Sequence, residues 1–243
     1  MDTVKTDLPG DAVPRDLLAR AVGILTSPRH TFAGVIAHPK WLGMLALTVA
    51  IGMVCTGTLL STEKGQVALV DQQVRTLESF GQAVDDAAYA QLEERSRYGG
   101  AIGAVQMLVV APLVALVVAG ASYRLFAVSG GSGTFRQVFA VVVHSGVVLA
   151  IQQLFVTPLN YVRESISGAT NLAVFLPMLD EGSLPARFFG MIDLFIVWWI
   201  VTLAIGLSVL SGRRTVRIAT GLFAVYIGLA LILAIVMAVA GGT

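Results

Sequence analysis

Charge-free apolar runs and mixed polar stretches alternate along this chain, and the runs predict helices at about 41–62, 100–123, 137–157, 193–211 and 218–240. A helix of roughly 20 residues crosses the ~30 Å hydrocarbon core of a bilayer. Apart from Asp193, at the very start of the fourth run, none of the five holds an Asp, Glu, Lys or Arg. One such charge at a helix centre costs about 2.5–3.5 kcal/mol on insertion scales, so its absence five times over is informative. A sixth apolar run, 172–178, is too short to span and contains Pro177, which makes it an interfacial or loop segment. The expected fold is all-α, a polytopic membrane protein with a bundle of five transmembrane helices.

Residues 1–40 form a polar N-terminal segment punctuated by Pro9, Pro14, Pro28 and Pro39. The first apolar run comes too late for a cleavable signal peptide, so 41–62 is expected to stay as an anchor. Pro14 fits the first turn of a short helix that lines Leu17, Leu18, Ala21, Val22 and Leu25 along one side. Ser27-Pro28 reads as an N-cap followed by proline at the first helical position of a second helix. That second helix offers Phe32, Val35 and Ile36 and stops before Pro39. Both suit helices lying in the membrane interface. They serve either to lead the chain into the bilayer or to present Leu17, Leu18 and Phe32 as a docking surface for a partner. The remainder, 41–243, makes up the membrane domain.

The segment 63–97 is acidic, with seven Asp/Glu against four Lys/Arg, and Val67, Val70, Val74 and Leu77 fall on one helical face. Gly81 interrupts the stripe, leaving one helix or two short ones, folded over the bundle. In the next outer loop, Ser183-Leu-Pro185 and Phe188-Phe189 suggest an amphipathic approach to the fourth span.

Composition supports lipid as the solvent: 56% of the 243 residues are hydrophobic and 13% charged, against about 25% charged in soluble domains. Mean hydropathy is +0.81. With Lys+Arg 16 and Asp+Glu 15, no global charge points to nucleic acid. Position matters more than balance. A cytoplasmic N-terminus puts ten basic residues in short cytoplasmic segments and six in two long outer loops. The positive-inside rule then favours N-terminus inside and C-terminus outside.

Polar residues inside spans are expensive, and function is sought there first. Gln106, Gln152, Gln153 and Asp193 fall in the outer third of their spans, where antiparallel packing would gather them. Such a cluster is either interhelical hydrogen bonding or a path for a solute or ion. His144 lacks companions for a metal site and is expected to bond Ser145 or a neighbouring helix. Pro112 is expected to kink the second span. Gly43, Gly52, Gly57, Gly221 and Gly228 permit close helix contact without a clean GxxxG, so a homo-oligomer is an open option. The Ser129–Gly133 glycine run lacks the Lys-Ser/Thr ending of a phosphate-binding loop and reads as a turn. Cys55 is the sole cysteine, and no HExxH, GxSxG, CxxC or intramembrane aspartate pair occurs. No catalytic residue, cofactor or metal is therefore expected, and the chain does not read as an enzyme.

Three stretches carry a resemblance: LTSPRHTF at 25–32, GTFRQVFAVVVHS at 133–145 and DLFIVWWIVTLAIGLSVLS at 193–211. Their order, with five spans, resembles the prokaryotic branch of the Yip (Ypt-interacting protein) domain family. The resemblance implies a cytoplasmic N-terminus, five helices and an outward C-terminus in a prokaryotic plasma membrane. Eukaryotic relatives associate with Rab-type GTPases and carry an Asp-Leu-Tyr-Gly-Pro signature. Here that region reads His38-Pro-Lys-Trp-Leu-Gly43, so GTPase binding is not supported. The leading functional expectation is a non-catalytic scaffold or adaptor that contacts the lipid bilayer and binds other membrane proteins. The alternative is a small transporter or channel subunit using the polar cluster.

Overall fold

A computed structural model describes residues 16–128, 133–166, 168–180 and 183–240, with the side chains of 126–128 left out. Pro9, Pro14 and most of the Ser129–Gly133 turn lie outside the described residues. Within them the chain is helical, and one isolated antiparallel bridge pairs Asn171 with Asp193. Two short helices, α1 (Leu17–Thr26) and α2 (Pro28–Ala37), precede α3 (Leu42–Leu60), α4 (Glu63–Ser79), α5 (Asp86–Ser96) and α6 (Gly99–Val128). Then follow α7 (Phe135–Ser145), α8 (Val147–Arg163), a single 3-10 turn (Leu172–Phe175), α9 (Leu184–Gly190), α10 (Leu194–Ser211) and α11 (Thr215–Ala240).

Five helical segments are long and apolar enough to cross a membrane: α3, α6, α7 with α8, α10 and α11. The expected spans are thus present. The third is broken at Gly146, whose N–H is shared between the carbonyls of Val142 and Val143 at 3.2 Å each. A Cβ at Gly146 would lie 3.0 Å from the Val143 carbonyl oxygen, which favours glycine at the break. The broken span is also the central one. Of its most apolar window 61% is buried, against 6% for α6 and 11% for α11. Spans α6 and α11 therefore turn most of their surface to the surroundings.

Close approach of α3 and α6 depends on small residues. A Cβ at Gly100 would lie 2.1 Å from Ser61 Oγ and one at Gly103 2.8 Å from Thr56 Cγ2. Gly52 and Gly57 face the same helix, against Met107 and Ala104, and Gly43 faces Leu17. Gly221 and Gly228 face open space and make no such contact.

The N-terminal helices differ from the expectation. Phe32 is wholly buried, with Ile24 and Val35 at 1% exposure. Phe32 belongs to the main core with Met44, Val138, Val141, Leu203 and Leu207. A Cβ on Gly206 would stand 2.5 Å from Val141 Cγ1 and 2.9 Å from Phe32 Cε1. The bare backbone of α10 is what admits the phenyl ring between α7 and α10. Phe32 is therefore part of the core and not of a docking surface. Leu17 also packs against the core, and of the three residues expected to dock a partner only Leu18 is exposed. Apolar residues on one side of a short helix bury against protein as readily as against lipid. Ser27 stands at the N-terminus of α2 without a side-chain cap; its carbonyl accepts from Thr31 Oγ1 at 3.0 Å.

The segment after α3 folds as two helices, α4 and α5, with Gly81 at a positive φ of 76° between them. The buried side of α4 runs through Gly65, Ala68 and Val70, while Val67 is exposed. The rest of the expected stripe faces inward, Val70 buried and Val74 and Leu77 half-buried; a Cβ at Gly65 would lie 2.0 Å from the Leu59 carbonyl oxygen. Such contact pins the first turn of α4 on the end of α3. Lys64 then pairs with Glu164 at 2.6 Å, tying α4 to the end of α8.

Candidate functional site

Asp193 stands where α10 begins, and four donors converge on its carboxylate. Oδ1 accepts from the backbone of Phe195 (2.8 Å) and Ile196 (3.2 Å) and from Gln152 Nε2 (3.0 Å). Oδ2 accepts from Thr170 Oγ1. The two backbone bonds make Asp193 the N-cap of α10, satisfying amides that the helix leaves without partners. Its own N–H donates to the Tyr226 hydroxyl at 3.1 Å, and that hydroxyl donates to the Met191 carbonyl at 2.7 Å. One residue thereby joins α8, α10, α11 and the loop before the 3-10 turn. The loop is secured next to it: Leu194 N–H donates to the Thr170 carbonyl at 3.1 Å, and Asn171 Nδ2 donates to the Gly190 carbonyl at 3.0 Å.

Of the four residues expected to cluster, the structure joins only Gln152 and Asp193. Gln153 lines a cavity beside them and hydrogen-bonds to no described residue. Gln106 is exposed on α6, outside that cavity, and also lacks a hydrogen-bond partner among the described residues. Depth had suggested the grouping, but depth does not set rotation about a helix axis. Thr170, Asn171 and Tyr226 complete the joint in place of Gln106 and Gln153. Tyr226 could have been found, since a phenolic hydroxyl inside an apolar span needs a partner. Thr170 and Asn171 sit in a loop with nothing in the sequence to single them out.

A second joint lies at the opposite end. Thr134 caps α7 through the Gln137 N–H at 3.3 Å, and Gln137 Oε1 accepts from the Thr134 N–H at 2.9 Å. This capping box also reaches α2, because Gln137 Nε2 donates to the Ile36 carbonyl at 3.3 Å. Arg29 of α2 donates to Thr215 Oγ1 at 2.8 Å, and that hydroxyl donates to Ser208 Oγ at 2.9 Å. A third joint is midway: Trp199 Nε1 donates to Ser145 Oγ at 3.0 Å, beside the break in the third span. His144 is fully buried and bonds the Ala140 carbonyl one turn back at 2.8 Å. The expected partners, Ser145 or another helix, are not used. Its Nε2 has no partner, and no group of three or more metal-ligating side chains occurs among the described residues.

Between α3, α6, α8 and α10 lies a cavity of about 410 Å³, bordered by Thr48, Met107, Gly146, Gln152, Gln153 and Trp199 among mainly apolar side chains. Its size falls in the range of small-molecule sites.

These features define an all-helical, multi-pass membrane bundle in which several polar side chains join neighbouring helices. The Yip1 domain family matches residues 22–238. This is nearly the whole chain, and the protein belongs to that family. No curated protein and no solved structure matches it. The three stretches that carried the resemblance coincide with the joints: Arg29 and Phe32 from the first, Thr134, Gln137 and Ser145 from the second, Asp193 and Trp199 from the third.

Proposed function

We propose that this protein is a non-catalytic scaffold of a prokaryotic plasma membrane, N-terminus inside and C-terminus outside, that binds other membrane proteins through α6. The observation that carries this reading is Gln106. It lies on the least buried span, among exposed Ile102, Val105 and Val109, and hydrogen-bonds to no described residue. In hydrocarbon an amide without a partner is costly, and side chains of this kind hold transmembrane helices together. A polar residue on the helix of a neighbouring protein would satisfy it. The charge distribution supports the orientation. Among the described residues, the end formed by α1, α2 and the α10–α11 turn carries Arg20, Arg29, Lys40, Arg124, Arg136, Arg213, Arg214 and Arg217 against Asp16 alone.

A photo-crosslinking residue at position 105 or 109 tests this in native membranes. It should yield a discrete adduct with another membrane protein, and Gln106→Leu should abolish that adduct while leaving the protein folded. Adducts with lipid alone, or only with a second copy of this chain, would contradict the scaffold reading.

The alternative, a transporter or channel subunit, draws support from the cavity that Gln152 and Gln153 border. It predicts a solute flux in proteoliposomes that Gln153→Leu abolishes. The engagement of Asp193 in four bonds argues for the scaffold, since a residue holding four elements together is poorly suited to move with a passing ion.

A further inference from the structure

At the basic end, a pocket of about 230 Å³ lies between α6 and α11 and is bordered by the end of α10. Ser122, Ser211, Arg213 and Arg217 supply its polar lining, and Leu207 and Leu222 part of its apolar wall. Among the described residues, no carboxylate lines it. Ser122 is 4% exposed, yet its side chain hydrogen-bonds to no described residue. Its hydroxyl borders the pocket and is free to donate to a group placed there. Gly221 faces this space, and a Cβ there would meet nothing within 4 Å.

Two guanidinium-bearing residues and two hydroxyl-bearing residues border the same pocket, and their chemistry suits a phosphate group. Position decides which phosphate. The pocket lies where the polar α10–α11 turn meets the apolar spans, and its two outer walls belong to the spans with most of their surface unburied. A molecule reaching it from the side comes out of the bilayer. Basic pockets between transmembrane helices on the cytoplasmic side hold anionic lipid headgroups. We propose that this pocket binds the phosphate of an anionic phospholipid, with the acyl chains descending along the cleft between α6 and α11.

The test uses the purified full chain in neutral detergent, titrated by calorimetry with dihexanoyl-phosphatidylglycerol, dihexanoyl-phosphatidylcholine and inorganic phosphate. Phosphatidylglycerol should bind, phosphatidylcholine should bind much more weakly, and inorganic phosphate should bind more weakly than phosphatidylglycerol because it lacks the chains. Arg213→Gln and Arg217→Gln should each weaken phosphatidylglycerol binding about fivefold. Gly221→Leu keeps every charge but fills the cleft, and should weaken it by at least as much. Arg136→Gln, at the same end but outside the pocket, should leave it unchanged. Arg217 is exposed and Gly221 has open space before it, so both variants should fold, which unchanged thermal unfolding would verify. Phosphatidylglycerol binding that survives both Arg217→Gln and Gly221→Leu would overturn the proposal. So would inorganic phosphate binding as tightly as the lipid with no response to Gly221→Leu.

Discussion

At Gly206 the absence of a side chain decides where an entire helix sits. Phe32 Cε1 and Val141 Cγ1 occupy the space that a Cβ would take, at 2.9 and 2.5 Å. Val141 is β-branched and stiff at χ1, and Phe32 is enclosed on all sides. Gly206→Ala should therefore destabilise the protein by about 1–3 kcal/mol, the range for an overpacked core. Combined with Phe32→Leu, the loss should fall short of the sum of the two single losses, because the smaller side chain releases part of the clash. Denaturation in mild detergent would show this, and strict additivity would mean that α2 does not pack on α10. Asp193 illustrates the same scale from the polar side. The sequence marked it as unusual, and in the structure it caps α10 and bonds Gln152 of α8. His144 was equally visible, but its bond to its own helix depends on a rotamer that no pattern reveals.

Elements were legible to the extent that lipid constrains them. The first span, expected at 41–62, runs Leu42–Leu60, and the fourth, expected at 193–211, runs Leu194–Ser211. Water cannot satisfy backbone groups inside the bilayer, so a long apolar run has few alternatives to a helix. The Gly146 break was not legible, since glycine is ordinary in membrane helices. Nor was the seating of α4 on α3, because Val67, Val70, Val74 and Leu77 mark a face without saying what covers it. Gly65 permits that close seating, and it supports a second prediction. Gly65→Ala would force a Cβ against the Leu59 carbonyl, which is backbone and cannot swing aside, and should cost about 3 kcal/mol. Gly221→Ala, on a helix face with open space, should be neutral or stabilising by up to about 1 kcal/mol, the ordinary gain of alanine over glycine in a helix. Similar melting temperatures for the two variants would show that α4 does not rest on α3 as described.

For the molecule as a whole, three hydrogen-bonded joints hold the helices to one another. Ser145 and Trp199 brace the centre, Thr134 and Gln137 fasten α7 to α2, and Asp193 fastens α8, α10, α11 and the loop before the 3-10 turn. Away from these joints the fold leaves exposed the outer side of α6, the pocket by Arg213 and Arg217, and Leu18 with Val22 on α1. The central claim is that the Asp193 cluster holds the bundle together. A double-mutant cycle of unfolding free energies for Gln152→Ala and Asp193→Ala tests this most directly. A joint predicts a coupling of about 0.6–2 kcal/mol, with Asp193→Ala alone costing a further ~1 kcal/mol or more for the lost cap. Zero coupling, with both variants as stable as the parent, would contradict it.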